Sequence, residues 1–289
     1  MTTQNRGHRV RRRGVMVATL AAAFLMVTAA LAAEPTVLLG NADPFAVLAG
    51  ETITNTGATT ITGSVGLDPG TATAGFGPGA DNVTIIDGTL EVDNAVALAA
   101  KNALTTAYND AAGRSVTATI ATELGGATLV GGVYDSDSTT FEITGTLTLD
   151  GENNPDAVFI FQMGSTLLAK GTSNIVFIRG AQACNVFWQV GSSATIEPAA
   201  TFSGNILALT SIALQTGATV HGRAFARNGE VTMDSNTITR AVCRPDGGVS
   251  TGGGSTSGIE DAHLFIVAGT LFAAAIGVLA TRRRAFRSD

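Results

Sequence analysis

The C-terminal half of this chain contains a stretch that repeats itself at an offset of 18 residues. Ala200-Thr201-Phe202-Ser203-Gly204-Asn205-Ile206-Leu207-Ala208 returns as Ala218-Thr219-Val220-His221-Gly222-Arg223-Ala224-Phe225-Ala226. A looser copy follows: Ser211-Ile212-Ala213-Leu214 is answered by Glu230-Val231-Thr232-Met233, and Thr237-Ile238-Thr239 falls one period beyond Thr219-Val220-His221. Short strands at this period cannot each bury an apolar face alone. They must stack as rungs of a β-solenoid, which turns one sequence position into a column.

Strand alternation then assigns the columns. Phe202, Val220 and Ile238 point inward; Thr201, Thr219 and Thr237 point outward in one column, and Ser203, His221 and Thr239 in the next. Rungs stand about 4.8 Å apart and outward neighbours on one strand about 6.7 Å apart. Threonine is also an ordinary outward residue on strands, so such a column needs no function to exist.

The N-terminal part carries a matching rung. Thr56-Gly57-Ala58-Thr59 before Ile61-Thr62-Gly63 echoes Thr216-Gly217-Ala218-Thr219 before Val220-His221-Gly222, with one residue inserted. Matching rungs far apart in sequence indicate a solenoid interrupted by an insertion. Within it, Val92, Val96, Ala99, Ala103, Ala107 and Ala111 recur at intervals of three and four, predicting a helix over about 91–112. Glu91 and Asp93 suit its start and Gly113 its end. The unbroken apolar runs Val158-Phe159-Ile160-Phe161 and Ile175-Val176-Phe177-Ile178 read as strands buried on both faces, one of them under the helix.

The ends suggest where the chain resides. Arginines at 9 and 11–13 precede an apolar run and Ala30-Leu31-Ala32, so residues 1–32 read as a cleaved signal peptide, with an uncleaved anchor as the alternative. Residues 264–281 read as a transmembrane helix, since an apolar run of this length spans about 25 Å. The basic tail 282–289 belongs in the cytoplasm, which leaves the rest outside a single-pass cell-membrane protein. Residues 245–263 form a Gly/Ser-rich linker. The body, 33–244, is one domain whose segment 33–243 has 19 Asp and Glu against 7 Lys and Arg. So acidic a surface excludes nucleic acid as a partner. In an exported chain Cys184 and Cys243, the only cysteines, read as one disulfide, with two buried thiols as the alternative.

Several segments carry a family likeness. They include Leu39-Gly40-Asn41-Ala42, Phe45-Ala46-Val47-Leu48-Ala49-Gly50, Ala157-Val158-Phe159-Ile160-Phe161-Gln162 and Gly222-Arg223-Ala224-Phe225-Ala226. The most specific is Gly180-Ala181-Gln182-Ala183-Cys184-Asn185-Val186-Phe187-Trp188-Gln189-Val190-Gly191. From Val37 to Cys243 the chain resembles the microbial ice-binding proteins. The resemblance implies a mostly β fold: a right-handed β-solenoid of triangular section, its first strand out of sequence order, with one long α-helix alongside. It also implies ice or ordered water as a partner. The candidates are Thr201, Thr219, Thr237, Ser203 and Thr239, joined by Thr56, Thr59 and Thr216 from segments matching a Thr-Gly/Ala-x-Thr pattern in some relatives.

Catalysis is not expected. The three histidines are scattered, and no nucleophile elbow, H-E-x-x-H or P-loop occurs. Neither a cofactor nor a metal is expected, because Asp135, Asp137, Asp150, Glu152 and Asp156 match no calcium loop. The competing expectation is a non-catalytic structural or adhesive envelope module for glycan or protein. That reading needs exposed aromatic rings, and only Trp188, Tyr108 and Tyr134 are available as large amphipathic ones.

Overall fold

The computed structural model describes residues 34–77, 79 and 82–244. The expected signal peptide, linker, transmembrane helix and tail lie outside these residues. Among the described residues no helix is long and apolar enough to cross a membrane.

Parallel strands stack into rungs that run along three faces. Starting from one end, the rungs comprise residues 118–130, 132–150, 159–178, 186–203, 205–221 and 223–239, then 45–62 and 64–86. The N-terminal rungs therefore stack on the last rung of the chain: Phe45–Ala49 pairs with Thr219–Ala226, Thr52–Thr56 with Val231–Asp234, and Thr59–Thr62 with Thr237–Thr239. This is the interruption that the sequence echo indicated. The helix α1, Ala95–Gly113, separates the two sections.

The repeat is in register as read, with Thr201 beside Thr219, Phe202 beside Val220, and Ile212 beside Val231. Phe202, Val220 and Ile238 are fully buried. Two long strands, Thr201–Ala208 and Thr219–Ala226, turn a corner at their glycines and so serve two faces each. Gly204 has φ +111°, and a Cβ there would lie 2.7 Å from Trp188 Nε1. A Cβ on Gly222 would meet Gly204 O at 1.9 Å, so the corner admits no side chain. Inside, Trp188 stacks on Phe161 with centroids 4.0 Å apart and donates Nε1–H to Ser203 O.

The helix covers one face. Leu48, Val133, Ile160, Phe187, Leu207 and Phe225 project outward from that sheet and are buried under Ala100, Leu104, Ala107, Tyr108 and Ala111. Each fully buried side chain of Leu or Phe size contributes about 1.5–3 kcal/mol. The helix begins later than the spacing predicted, because Leu90–Val92 is a strand paired with Ser64–Leu67. Asn94 caps it, accepting from the Val96 and Ala97 amides.

The buried stripe is also rotated from the predicted one. Val96 is 53% exposed, and the inward positions are Ala97, Ala100, Lys101, Leu104, Ala107, Tyr108 and Ala111. Alanines on several sides made the two stripes alike in sequence, and the large residues Leu104 and Tyr108 decided between them. At the other end, Gly113 is helical and the Gln162 amide donates to the Ala111 and Arg114 carbonyls. Lys101 reaches the Ala226 and Arg227 carbonyls at 2.6 Å each, and burial pushes its amine down to about 7.

The disulfide between Cys184 and Cys243 is formed, with Cα atoms 5.3 Å apart. It holds the segment after Thr239 against the turn Ala183–Asn185, where Ala241 is buried. Arg223, 2% exposed, donates to Ala241 O, Asn205 Oδ1 and the Asp43 carboxylate, tying this segment to the N-terminal rung. Of the two apolar runs, 159–163 lies beneath the helix. The other, Asn174–Ile178, does not: Val176 is half-buried and Ile178 is 38% exposed, because its outward side lies on an uncovered face.

Candidate functional site

Two faces remain uncovered by the helix. The first contains the predicted columns. Thr201, Thr219 and Thr237 are adjacent in register, and the ladder continues through Thr60 to Thr84. In the other direction the Thr201 amide donates to Ser173 O, which places Thr201 beside Asn174, and Asn174 pairs with Thr146. One outward column thus runs Thr146, Asn174, Thr201, Thr219, Thr237, Thr60, Thr84 over seven rungs, each member exposed or half-buried. It contains no charged residue. Beneath it, Leu147, Ile175, Phe202, Val220, Ile238 and Ile61 fill the core.

The neighbouring column is less uniform. It reads Thr148, Val176, Ser203, His221, Thr239, Thr62, Ile86. Ser203, expected outward and accessible, is only 5% exposed, and its strand is in contact with the turn Ala183–Asn185. His221 is exposed and Thr239 half-buried.

The Thr-Gly/Ala-x-Thr/Asn segments overlap this face only in part, at Thr219. Gly57 and Gly217, with φ of +70° and +71°, turn the corner between the two open faces, so each motif is divided across it. Thr56 and Thr216 are exposed on the far side of that corner, where Thr216 Oγ1 donates to Asp234. Thr59 is 1% exposed and accepts the Asn236 amide at Oγ1, so it is a structural residue. The inserted residue makes Thr60 the register partner of Thr237 and places it in line with Thr219. Thr60, Thr62, Thr84, Thr146, Thr148 and Asn174 were missed by sequence reasoning. The alternation in Thr146-Leu147-Thr148 was legible, but its place in the stack depends on rung order.

The second open face has the outward column Glu142, Leu168, Thr195, Ala213, Thr232, Thr54, Ala74. It is mixed in character. Lys170 pairs with Glu142 at 2.9 Å, and the hydrogen bond it donates to that carboxylate raises the lysine above its ordinary value. Thr52 bonds to Glu230. Hydroxyls occur in the middle of this column, at Thr195, Thr232 and Thr54, with Ala213 among them and Ala74 beyond.

No group of acidic, histidine or cysteine side chains among the described residues is arranged to hold a metal ion. Trp188, Tyr108 and Tyr134 are buried, so none of the three offers an open ring for stacking on a sugar.

Residues 47–239 match the family model described as ice-binding-like. The chain is 43% identical over 235 residues to an ice-binding protein of Nostoc sp. (strain HG1), covering 81% of this chain and 84% of that protein. It is 36% identical to an ice-binding protein of Flavobacterium frigoris (strain PS1), covering 70% and 75%. Among solved structures, an ice binding protein from an Antarctic biological consortium superposes with a TM-score of 0.68 at 44% identity, covering 73% of this chain and 93% of that one. The ice-binding protein 1 domain of Shewanella frigidimarina gives 0.67 at 34% identity, covering 73% and 99%. The stacked rungs, the flanking helix and these matches together place the chain in the ice-binding-like family.

Proposed function

We propose that this protein binds ice by adsorption, through the face carrying the seven-rung threonine column. The observation that supports this most strongly is the in-register, uncharged run from Thr146 to Thr84. Its hydroxyls and methyls recur about every 4.8 Å along the stack, and the neighbouring column, hydroxyl-bearing at Thr148, Thr239 and Thr62, stands about 6.7 Å across. Those repeats resemble spacings on ice, so first-layer water held there has an ice-like arrangement. β-Branched side chains on a rigid sheet lose little rotamer freedom on docking. The ice-binding activity named for the relatives supports the same reading.

The ends of the chain extend the proposal: export by residues 1–32 and anchoring by 264–281 would display the face outside the cell, where many tethered copies add avidity. Protease treatment of intact cells tests this part, since an external domain is digested and an internal one survives.

The test of the face is a pair of substitutions in the purified full-length protein, Thr219→Tyr on the threonine face and Thr232→Tyr on the mixed face. Thermal hysteresis and partition into growing ice are read for each. The expected result is a loss of about tenfold for Thr219→Tyr and little change for Thr232→Tyr. The reverse outcome assigns the activity to the mixed face, and an inactive parent protein ends the ice-binding proposal.

A further inference from the structure

His221 is the one ionisable side chain in the two outward columns of the threonine face. It stands in register between Ser203 and Thr239, on the strand that also carries Thr219, and it is exposed. The strands on either side place no other ionisable side chain on this face: one carries Thr201, with Ser203 enclosed, and the other Thr237 and Thr239. The nearby charged groups in the chain are engaged elsewhere. Arg223, on the same strand, is buried and donates to Asp43 and Asn205. Arg240, which follows Thr239, pairs with Asp43, and the turn Ala183–Asn185 carries no titratable side chain, its cysteine being in the disulfide.

Histidine is the side chain that ordinarily changes charge between about pH 5 and 8. In its neutral form the ring can both donate and accept a hydrogen bond, as a hydroxyl can. Protonated, it carries a charge whose hydration has to be stripped or rebuilt when the face meets a crystal, and displacing water from a charge is far costlier than from a hydroxyl. Even neutral, the ring is bulkier than the threonines of the flanking rungs.

Resting on the reading of this face as ice-binding, we infer that His221 limits adsorption and makes it proton-sensitive. The face adsorbs ice more strongly when the imidazole is neutral than when it is charged. Threonine at this position removes both the bulk and the sensitivity.

The experiment compares full-length wild type, His221→Thr and His221→Lys by thermal hysteresis and ice partition at about pH 8 and about pH 5, the span over which histidine titrates. Circular dichroism is recorded at both values. Wild type is expected to lose about twofold or more at the lower pH. His221→Thr should be at least as active as wild type at the higher pH and unchanged at the lower, while His221→Lys should be weak at both. A flat wild-type profile overturns the inference. So does a pH-dependent fall that persists in His221→Thr, or a lysine variant as active as wild type. Absence of activity in all three proteins at both pH values removes the ice-binding reading and this inference with it.

Discussion

The threonine face and the mixed face are built by the same rungs, with the same parallel ladder and the same spacing between strands, yet they present different surfaces to water. On the first, seven successive rungs place Thr or Asn in one column. On the second, the equivalent column passes from Glu142 and Leu168 to Thr195, Ala213, Thr232 and Thr54, flanked by Lys170, Glu197 and Asp234. A periodic backbone is therefore not enough to make a periodic surface. The lattice exists only where each turn of the chain delivers the same side chain, and a single ion pair reorients the water around it. The mixed face resembles the other only at Thr195, Thr232 and Thr54, in the middle of the stack.

The largest effect that distinguishes the two is the tyrosine pair, about tenfold on one face against little on the other. Next comes the disulfide. Its strap runs beside the threonine face, with Arg240 donating its amide to Thr62 O. Cys184→Ser should lower stability by about 2–4 kcal/mol in chemical denaturation. If ice activity also falls at temperatures where the fold persists, the strap belongs to the working surface; if activity holds, it serves the fold alone.

A smaller effect comes from the third face, under the helix, and separates stability from activity. The Lys101 amine sits at about 7 when folded, against an ordinary value near 10.4, so folding favours its neutral form. Between about pH 7 and 10 the unfolded chain binds the extra proton, and stability rises with pH by at most about 1.4 kcal/mol per unit. Below that window both states are protonated and the gain is absent. The melting temperature should rise from pH 7 to pH 9 and lose that slope in Lys101→Met, while ice activity, proposed for the threonine face, should not track it. The smallest effect is at Lys170: replacing it with Ala should change the melting temperature little, since its pair with Glu142 is a partly exposed surface one. A clear drop there would show that the ion pairs of the mixed face support its rungs.

Much of this architecture was readable along the chain. The 18-residue repeat predicted the register of Thr201, Thr219 and Thr237, and the distant echo at Thr56 predicted the interruption. The errors have local causes. A stripe of alanines has no strong preference for one side of a helix, so the true face was decided by where Leu104, Tyr108 and Lys101 fit. Thr59 and Ser203 occupy outward-looking or motif positions, but neighbouring segments enclose both of them. Neither enclosure has a sequence period.

Periodicity within the chain was enough to require stacked parallel strands, to separate inward from outward residues, and to supply hydroxyls at a regular step. That follows because alternation and repeat length are local properties of the backbone. Which rungs become neighbours was decided only in three dimensions, when the N-terminal section stacked on the last rung and extended the column through Thr60 to Thr84. The choice of face for the helix was decided there too. Both depend on complementary packing between segments far apart in sequence, which no local pattern encodes.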